Sequence, residues 1–107
     1  MTLINLKFSD EMKNATLEGR KVHTIRDEKK GDVGDVFVIG GRVYRLIRVA
    51  QYDINDVGEF YDIEGFSTID KFESYLKSIY PELTIGSIVW GHMYAYVGDS
   101  KKPEVEE

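Results

Sequence analysis

The chain contains no cysteine and, among 107 residues, only two prolines and two histidines. Without thiols there is no disulfide framework, no thiolate metal site and no cysteine nucleophile. His23 and His92 alone make a zinc centre only if carboxylates complete it; no metal and no cofactor is expected. Positive charge is also in deficit. Fourteen Lys and Arg face 19 Asp and Glu, a formal net charge of −5, which argues against indiscriminate binding to a nucleic-acid backbone. No apolar run approaches the roughly 18 residues of a membrane span. Met1–Lys7 is too short and too mixed for a secretory signal, so a cytoplasmic location away from any membrane is expected.

What remains is the composition of an ordinary globule. Hydrophobic residues at 42% and charged ones at 31% fit a folded domain rather than a disordered chain. The length suffices for one domain and not for two. It is read as a domain over residues 1–98 followed by a frayed, charged tail over 99–107, with no internal repeat and no feature calling for a partner subunit, hence a monomer. Charge is unevenly placed. Residues 13–30 carry six basic side chains against three acidic, whereas residues 53–64 carry five acidic and none basic. A locally positive face on an acidic body is one reading; solvated charges on both faces is the other.

Leu3 to Phe8 alternates like a first strand. Ser9 can cap a helix opening with Asp10 and Glu11, acids suited to the positive end of the helix dipole. Gly19 can end that helix in a left-handed cap, and a short strand follows through Val22–Ile25. Val36–Ile39, Gly40-Gly41 and Arg42–Tyr52 read as a hairpin, because two glycines supply the positive backbone dihedrals of a tight turn. Arg45 and Arg48 have opposite parity, so one faces solvent and the other reaches a cleft or bulge; Arg45 is carried as a ligand-binding candidate. Asp53–Tyr61 reads as acidic and irregular, with at most one helical turn. Ser67-Thr68-Ile69-Asp70 has the spacing of a helix start, with Ile69, Phe72, Leu76 and Ile79 as its apolar stripe and Pro81 as its end. Ser87–Val97 is predicted as a last long strand with Ile88, Trp90, His92, Tyr94 and Tyr96 on one face. These elements predict an α+β fold, with a mixed, curved sheet or small barrel of about five or six strands and two helices.

The chemistry concentrates in Gly19-Arg20-Lys21-Val22-His23-Thr24-Ile25-Arg26. A lysine loses its proton readily when desolvated and can then deprotonate a neighbouring hydroxyl. Thr24 needs such a base to attack an acyl carbon. Arg26 offers a fork of donors for an anion or a carbonyl. In a regular strand, however, Thr24 and Arg26 share a side and Lys21 faces the other. Lys21 joins them only if Gly19–Val22 is still turn or bulge; otherwise the three are solvated side chains of a surface strand. By the same alternation His23 points away from Thr24 and reads as a strand residue. Gly40-Gly41 is not followed by a helix and is no phosphate loop, and Ser9 is better explained as a cap than as a nucleophile.

The same eight residues match the Gly-x-Lys-x-x-Thr-x-Arg motif of the ASCH family, small domains with a PUA-like β-barrel. Continued through Asp27 and Glu28, the stretch resembles the small bacterial ASCH proteins that are N4-acetylcytidine amidohydrolases. A looser similarity runs through Glu64-Gly65-Phe66, the following helix and Ile79-Tyr80-Pro81. The resemblance implies a PUA-like mixed barrel and a catalytic set of Lys21, Thr24 and Glu64, with Arg26 and Gly19 at the ligand and Glu64 as acid for the departing amine and partner to Lys21. It implies threonine attack on an acetyl carbonyl, with no metal. It equally implies a competing function, an RNA-binding module without turnover. Such modules stack unpaired bases on aromatic planes, and Tyr44, Tyr52, Phe60, Tyr61, Trp90, Tyr94 and Tyr96 include candidates, most of them needed for the core. The expected partner is therefore a modified nucleoside or RNA. A regulatory protein-interaction domain has no positive sequence feature.

Overall fold

In a computed structural model, described for residues 1–84 and 86–100, the order of elements is α1 (Asp10–Leu17), β1 (His23–Arg26), β2 (Val36–Ile39), β3 (Arg42–Asp53), a 3₁₀ helix (Ile54–Phe60), α2 (Ile69–Ile79) and β4 (Ile88–Asp99). The four strands form one antiparallel sheet in the order β1-β4-β3-β2. The two 12-residue strands, β3 and β4, are its spine. Register shifts between Val43 and Tyr44 and between Leu46 and Arg48 are bulges that bend and twist the strands, curling the sheet into a half-barrel.

The α+β class and the curled sheet agree with the sequence reading, but the strands number four rather than five or six. The missing one is Leu3–Phe8. It makes only a parallel bridge from Leu3 to Val36, with Ile4 N–H donating to Val36 O at 2.8 Å and Val36 N–H to Thr2 O at 2.8 Å. Beyond Ile4 the segment packs side chains instead of pairing backbone. Leu6 is buried and Phe8 stacks on Phe37 at 5.8 Å, which draws the chain off the sheet edge and into α1. The acidic Asp53–Tyr61 segment is more regular than expected. Asp53 accepts from Asn55 N–H and starts a seven-residue 3₁₀ helix.

Helix α1 starts as predicted, with Ser9 Oγ accepting from Met12 N–H. Helix α2 starts one residue later than the Ser67 spacing suggested: Thr68 Oγ1 accepts from Lys71 N–H, and Asp70 serves the helix dipole from the first turn. Only the middle of its expected stripe is buried, with Phe72 and Leu76 inside and Ile69 and Ile79 about two-fifths exposed.

The core has two parts, one on each face of the sheet. Leu6, Phe37, Ile39, Tyr44, Leu46 and Tyr94 form the first; Ile25, Val57, Phe72, Leu76 and Val89 form the second, beneath α2 and the 3₁₀ helix. Because both faces are covered mid-strand, β4 does not keep one buried face. Val89 and Gly91 are buried as well as His92 and Tyr94, while Ile88 and Tyr96 at the splayed ends are half exposed. Strand β4 also continues to Asp99, one residue into the segment read as tail, and residues 101–107 of that tail lie outside the described residues.

Candidate active site

Helix α1 ends in a Schellman arrangement. Gly19, at φ +82°, donates to Thr16 O at 3.1 Å, and Arg20 N–H donates to Ala15 O at 2.9 Å, satisfying carbonyls the helix leaves open. The reversal carries Lys21 past the helix end before β1 begins. Lys21 forms an isolated antiparallel bridge with Glu64, and Val22 N–H donates to Ile63 O at 2.8 Å. The turn thus pairs with the segment ahead of α2, and regular alternation with Thr24 begins only at His23. That is how an odd spacing places Lys21 and Thr24 on one cleft.

Lys21 and Glu64 are each 2% exposed. Lys21 Nζ donates to Glu64 Oε1 at 2.7 Å, to His23 O at 2.8 Å and more weakly to Glu64 O at 3.4 Å. His23, also buried, sets Nδ1 2.6 Å from Glu64 Oε2. An ionised carboxylate only accepts, so with Glu64 charged this nitrogen carries the proton. A buried charge pair is tolerated only when its remaining polar atoms are also bonded, and here both carboxylate oxygens and the ammonium are engaged. Burial pushes the Lys21 pKa below the ordinary lysine value; the attraction and hydrogen bond of Glu64 oppose the shift, and Arg26 adds to it. The lysine is thus biased toward losing its proton, with Glu64 as the restraint.

Thr24, 2% exposed, accepts at Oγ1 from Arg26 Nη1. Arg26 also donates through Nη1 to Ile25 O at 2.9 Å and through Nη2 to Lys7 O at 2.7 Å, with its guanidinium 5.2 Å from the Phe8 ring. Three of its five N–H groups are therefore committed to protein, which ties β1 to the segment entering α1. Across the sheet, Thr24 pairs with His92. His92 Nε2 accepts from Lys30 N–H at 3.0 Å, so Nδ1 holds the ring proton, 3.3 Å from Thr24 O. Burial lowers the His92 pKa to about 4, keeping it neutral. It clips the 27–35 loop to the backbone of Thr24.

Lys21, Thr24, Arg26 and Glu64 line one cleft of about 390 Å³, a size that suits a small ligand. Its walls are Lys7, Phe8, Ser9 and Met12 on one side and, on the other, Tyr75, Leu76 and Ile79 of α2 with Tyr80, which caps that helix. Within it Lys21 and Thr24 share no hydrogen bond: the ammonium donates to His23 and Glu64, and the hydroxyl accepts from Arg26. Two residues singled out from the sequence lie elsewhere. Gly19 is an exposed helix cap with nothing within 4 Å of where a Cβ would stand. Arg45 is exposed on β3, between Val36 and Ala95; with Tyr44 and Leu46 on either side turned into the core, plain alternation leaves it on the solvent side. A larger cavity of about 470 Å³ behind α2, including Ile54, Glu73 and Lys77, holds none of the motif residues.

The sequence reading did not single out His23 for the site, nor the aromatic walls. Of the aromatics proposed for stacking, Tyr44 and Tyr94 are core, Tyr52, Phe60 and Tyr61 pack on the second core cluster, and neither Trp90 nor Tyr96 lines the cleft. Phe8, Tyr75 and Tyr80 do, all half-buried. Tyr75 and Tyr80 flank the apolar stripe of α2 by one position each, the only trace of them in the pattern. Among the described residues no group of three or more His, Asp or Glu is arranged to hold a metal ion, and no helix is long and apolar enough to cross a membrane.

No protein-family model matches the chain, and no curated protein matches it significantly. Solved structures do share its architecture. An ASCH domain from Lactobacillus crispatus JV V101 superposes with a TM-score of 0.67 at 14% identity, over 91% of this chain and 80% of that one. A protein from Enterococcus faecalis V583 gives 0.60 at 18% identity, over 97% and 80%. A single-substitution variant of the ASCH protein from Zymomonas mobilis gives 0.56 at 15% identity, over 90% and 73%.

Proposed function

We propose, for a chain with the fold of the ASCH domains, that the cleft binds an acylated nucleoside and hydrolyses its amide, N4-acetylcytidine being the type of substrate it suits. The supporting observation is that the buried side chains of Lys21, Glu64 and Thr24 line one cleft of about 390 Å³ walled by Phe8, Tyr75 and Tyr80. Aromatic walls suit a nucleobase, and a neutral nucleoside brings no phosphate for the acidic body to repel.

In this reading the substrate's carbonyl draws an Arg26 N–H away from Thr24 Oγ1. Neutral Lys21 takes the threonine proton as Oγ1 bonds to the acetyl carbon. Arg26 donates to the developing oxyanion. Collapse breaks the C–N bond, with the proton passing to the departing cytosine nitrogen from the Lys21–Glu64 pair. Water, deprotonated by the same base, then releases acetate and restores the hydroxyl.

Incubation with N4-acetylcytidine tests this reading. Cytidine and acetate should appear with wild-type protein and vanish with Thr24→Ala. No product at high enzyme and long times sinks it, and salt-dependent affinity for structured RNA in the same sample would replace it with the RNA-binding reading. That alternative has one observation in its favour: Lys29 Nζ sits 5.7 Å from the half-buried Trp90 ring, a cation and an aromatic plane outside the cleft.

A further inference from the structure

His23 is a buried titratable group beside the cleft to which the reaction above gives no task. It lies one residue before Thr24 and projects to the other side of β1, so it does not line the cleft. Yet its Nδ1 takes one oxygen of Glu64 while Lys21 takes the other. The ring is held firmly. Its centroid is 4.9 Å from that of Phe60 and 6.4 Å from that of Tyr52, and a Cβ added to Gly91 would stand 2.7 Å from Nε2. Glycine at 91 is what leaves room for an imidazole there.

An ammonium is a point charge on a flexible stem and imposes little direction on a carboxylate. A clamped imidazole N–H does impose one. Fixed by His23 at Oε2, the Glu64 carboxylate must present Oε1 to Lys21. The two contacts also compete, because a donor at Oε2 draws negative charge away from Oε1 and loosens the hold of Glu64 on the lysine proton. That hold is the main force opposing loss of the proton.

We propose that His23 is a positioning residue for the amide hydrolysis, acting through Glu64 to aim the carboxylate and to set how firmly it keeps Lys21 protonated. This inference rests on the hydrolase reading. The titratable groups facing His23 are Glu64, Lys21 and Tyr52 from β3; His92 of β4, paired with Thr24, acts on it only through space, and Arg26 is the next cation along β1.

Three variants separate positioning from packing. His23→Asn keeps an N–H near the Nδ1 position, His23→Gln moves it to the Nε2 position, and His23→Leu removes it. With N4-acetylcytidine, His23→Leu and His23→Gln should lose kcat on the order of 10²-fold with KM little changed. His23→Asn should recover most of the loss. The rising limb of the pH profile should move to higher pH in His23→Leu, because Glu64 then grips the lysine proton harder. A folded His23→Leu with wild-type kcat and an unmoved limb overturns the proposal. If His23→Leu does not fold, equal kcat for the Asn and Gln variants overturns it. Should wild-type protein release no cytidine, the hydrolase reading fails separately. NMR titration of Lys21 Nζ then decides the positioning: the proton should persist to higher pH in His23→Gln than in wild type or His23→Asn, and identical titrations refute it.

Discussion

Glu64→Gln isolates the charge that keeps Lys21 protonated in the interior. The amide preserves the shape and can still meet His23, but the anion 2.7 Å from Nζ is gone, leaving only neutral carbonyl oxygens as acceptors for the ammonium. Removing one partner of a buried pair typically costs about 3–5 kcal/mol. A ceiling follows from the alternative response, loss of the proton. Neutralising a lysine with an ordinary value of 10.5 costs about 1.4 kcal/mol for each pH unit below that value, or about 5 kcal/mol at pH 7. Against a total stability of about 5–15 kcal/mol, the variant should be severely weakened yet measurable. The sign of the pH dependence is the sharper test. Once Lys21 is neutral in the folded variant, the unfolded chain binds one more proton, so the variant gains stability as pH rises. The wild type, with Lys21 still charged and paired, does not gain until pH passes its own lowered lysine pKa. The difference between the two should therefore shrink by about 1.4 kcal/mol per pH unit until pH reaches the lowered lysine pKa of the wild type, above which both gain in parallel. Urea unfolding followed by the fluorescence of Trp90, the single tryptophan, reads this at about pH 7 and about pH 9. A difference below about 1 kcal/mol at neutral pH, or one unchanged between the two pH values, would refute the reasoning.

Gly19→Ala should cost about 1 kcal/mol and lower Tm by roughly 4–8 °C, because the residue holds φ +82°. Nucleoside affinity should stay unchanged; weaker binding at an unchanged Tm would restore Gly19 to the ligand. His92 gives the acid side of the stability profile. Its pKa is about 4 in the folded chain against 6.5 ordinarily, so between these values the unfolded state binds the extra proton and stability falls as pH is lowered. His92→Asn should flatten that decline in thermal melts, and an unaltered profile would show that the ring does not carry it.

The hairpin and the start of α1 were legible because their signals are local: two adjacent glycines, and a serine ahead of two acids. The motif residues were legible as chemistry, but their meeting was not. Alternation alone separates Lys21 from Thr24, and only the Schellman turn and the bridge to Glu64 undo that separation. Alternation placed His23 correctly, away from Thr24. What it cannot show is that Glu64, 41 residues later in the chain, lines the cleft with Thr24 and still reaches His23 with its second oxygen. Glu64 itself came from the family resemblance, since an acid in an acidic stretch has no local mark. Leu3–Phe8 misled because an alternating segment that docks side chains and one that pairs backbone have the same pattern. Strand β4 misled because a sheet covered on both faces keeps no single buried parity, and bulges leave little trace in sequence. Arg45 lies away from the cleft because alternation between the buried Tyr44 and Leu46 turns it to solvent.

Mass spectrometry of the protein during turnover of N4-acetylcytidine, with acid quenching before digestion, asks directly whether the threonine of the cleft is acylated. The account predicts one acetyl group on the peptide carrying Thr24, absent from Thr24→Ala and accumulating if hydrolysis is slower than attack. Cytidine formed at full rate by Thr24→Ala, or an acetyl group found on Lys21 instead, would contradict it.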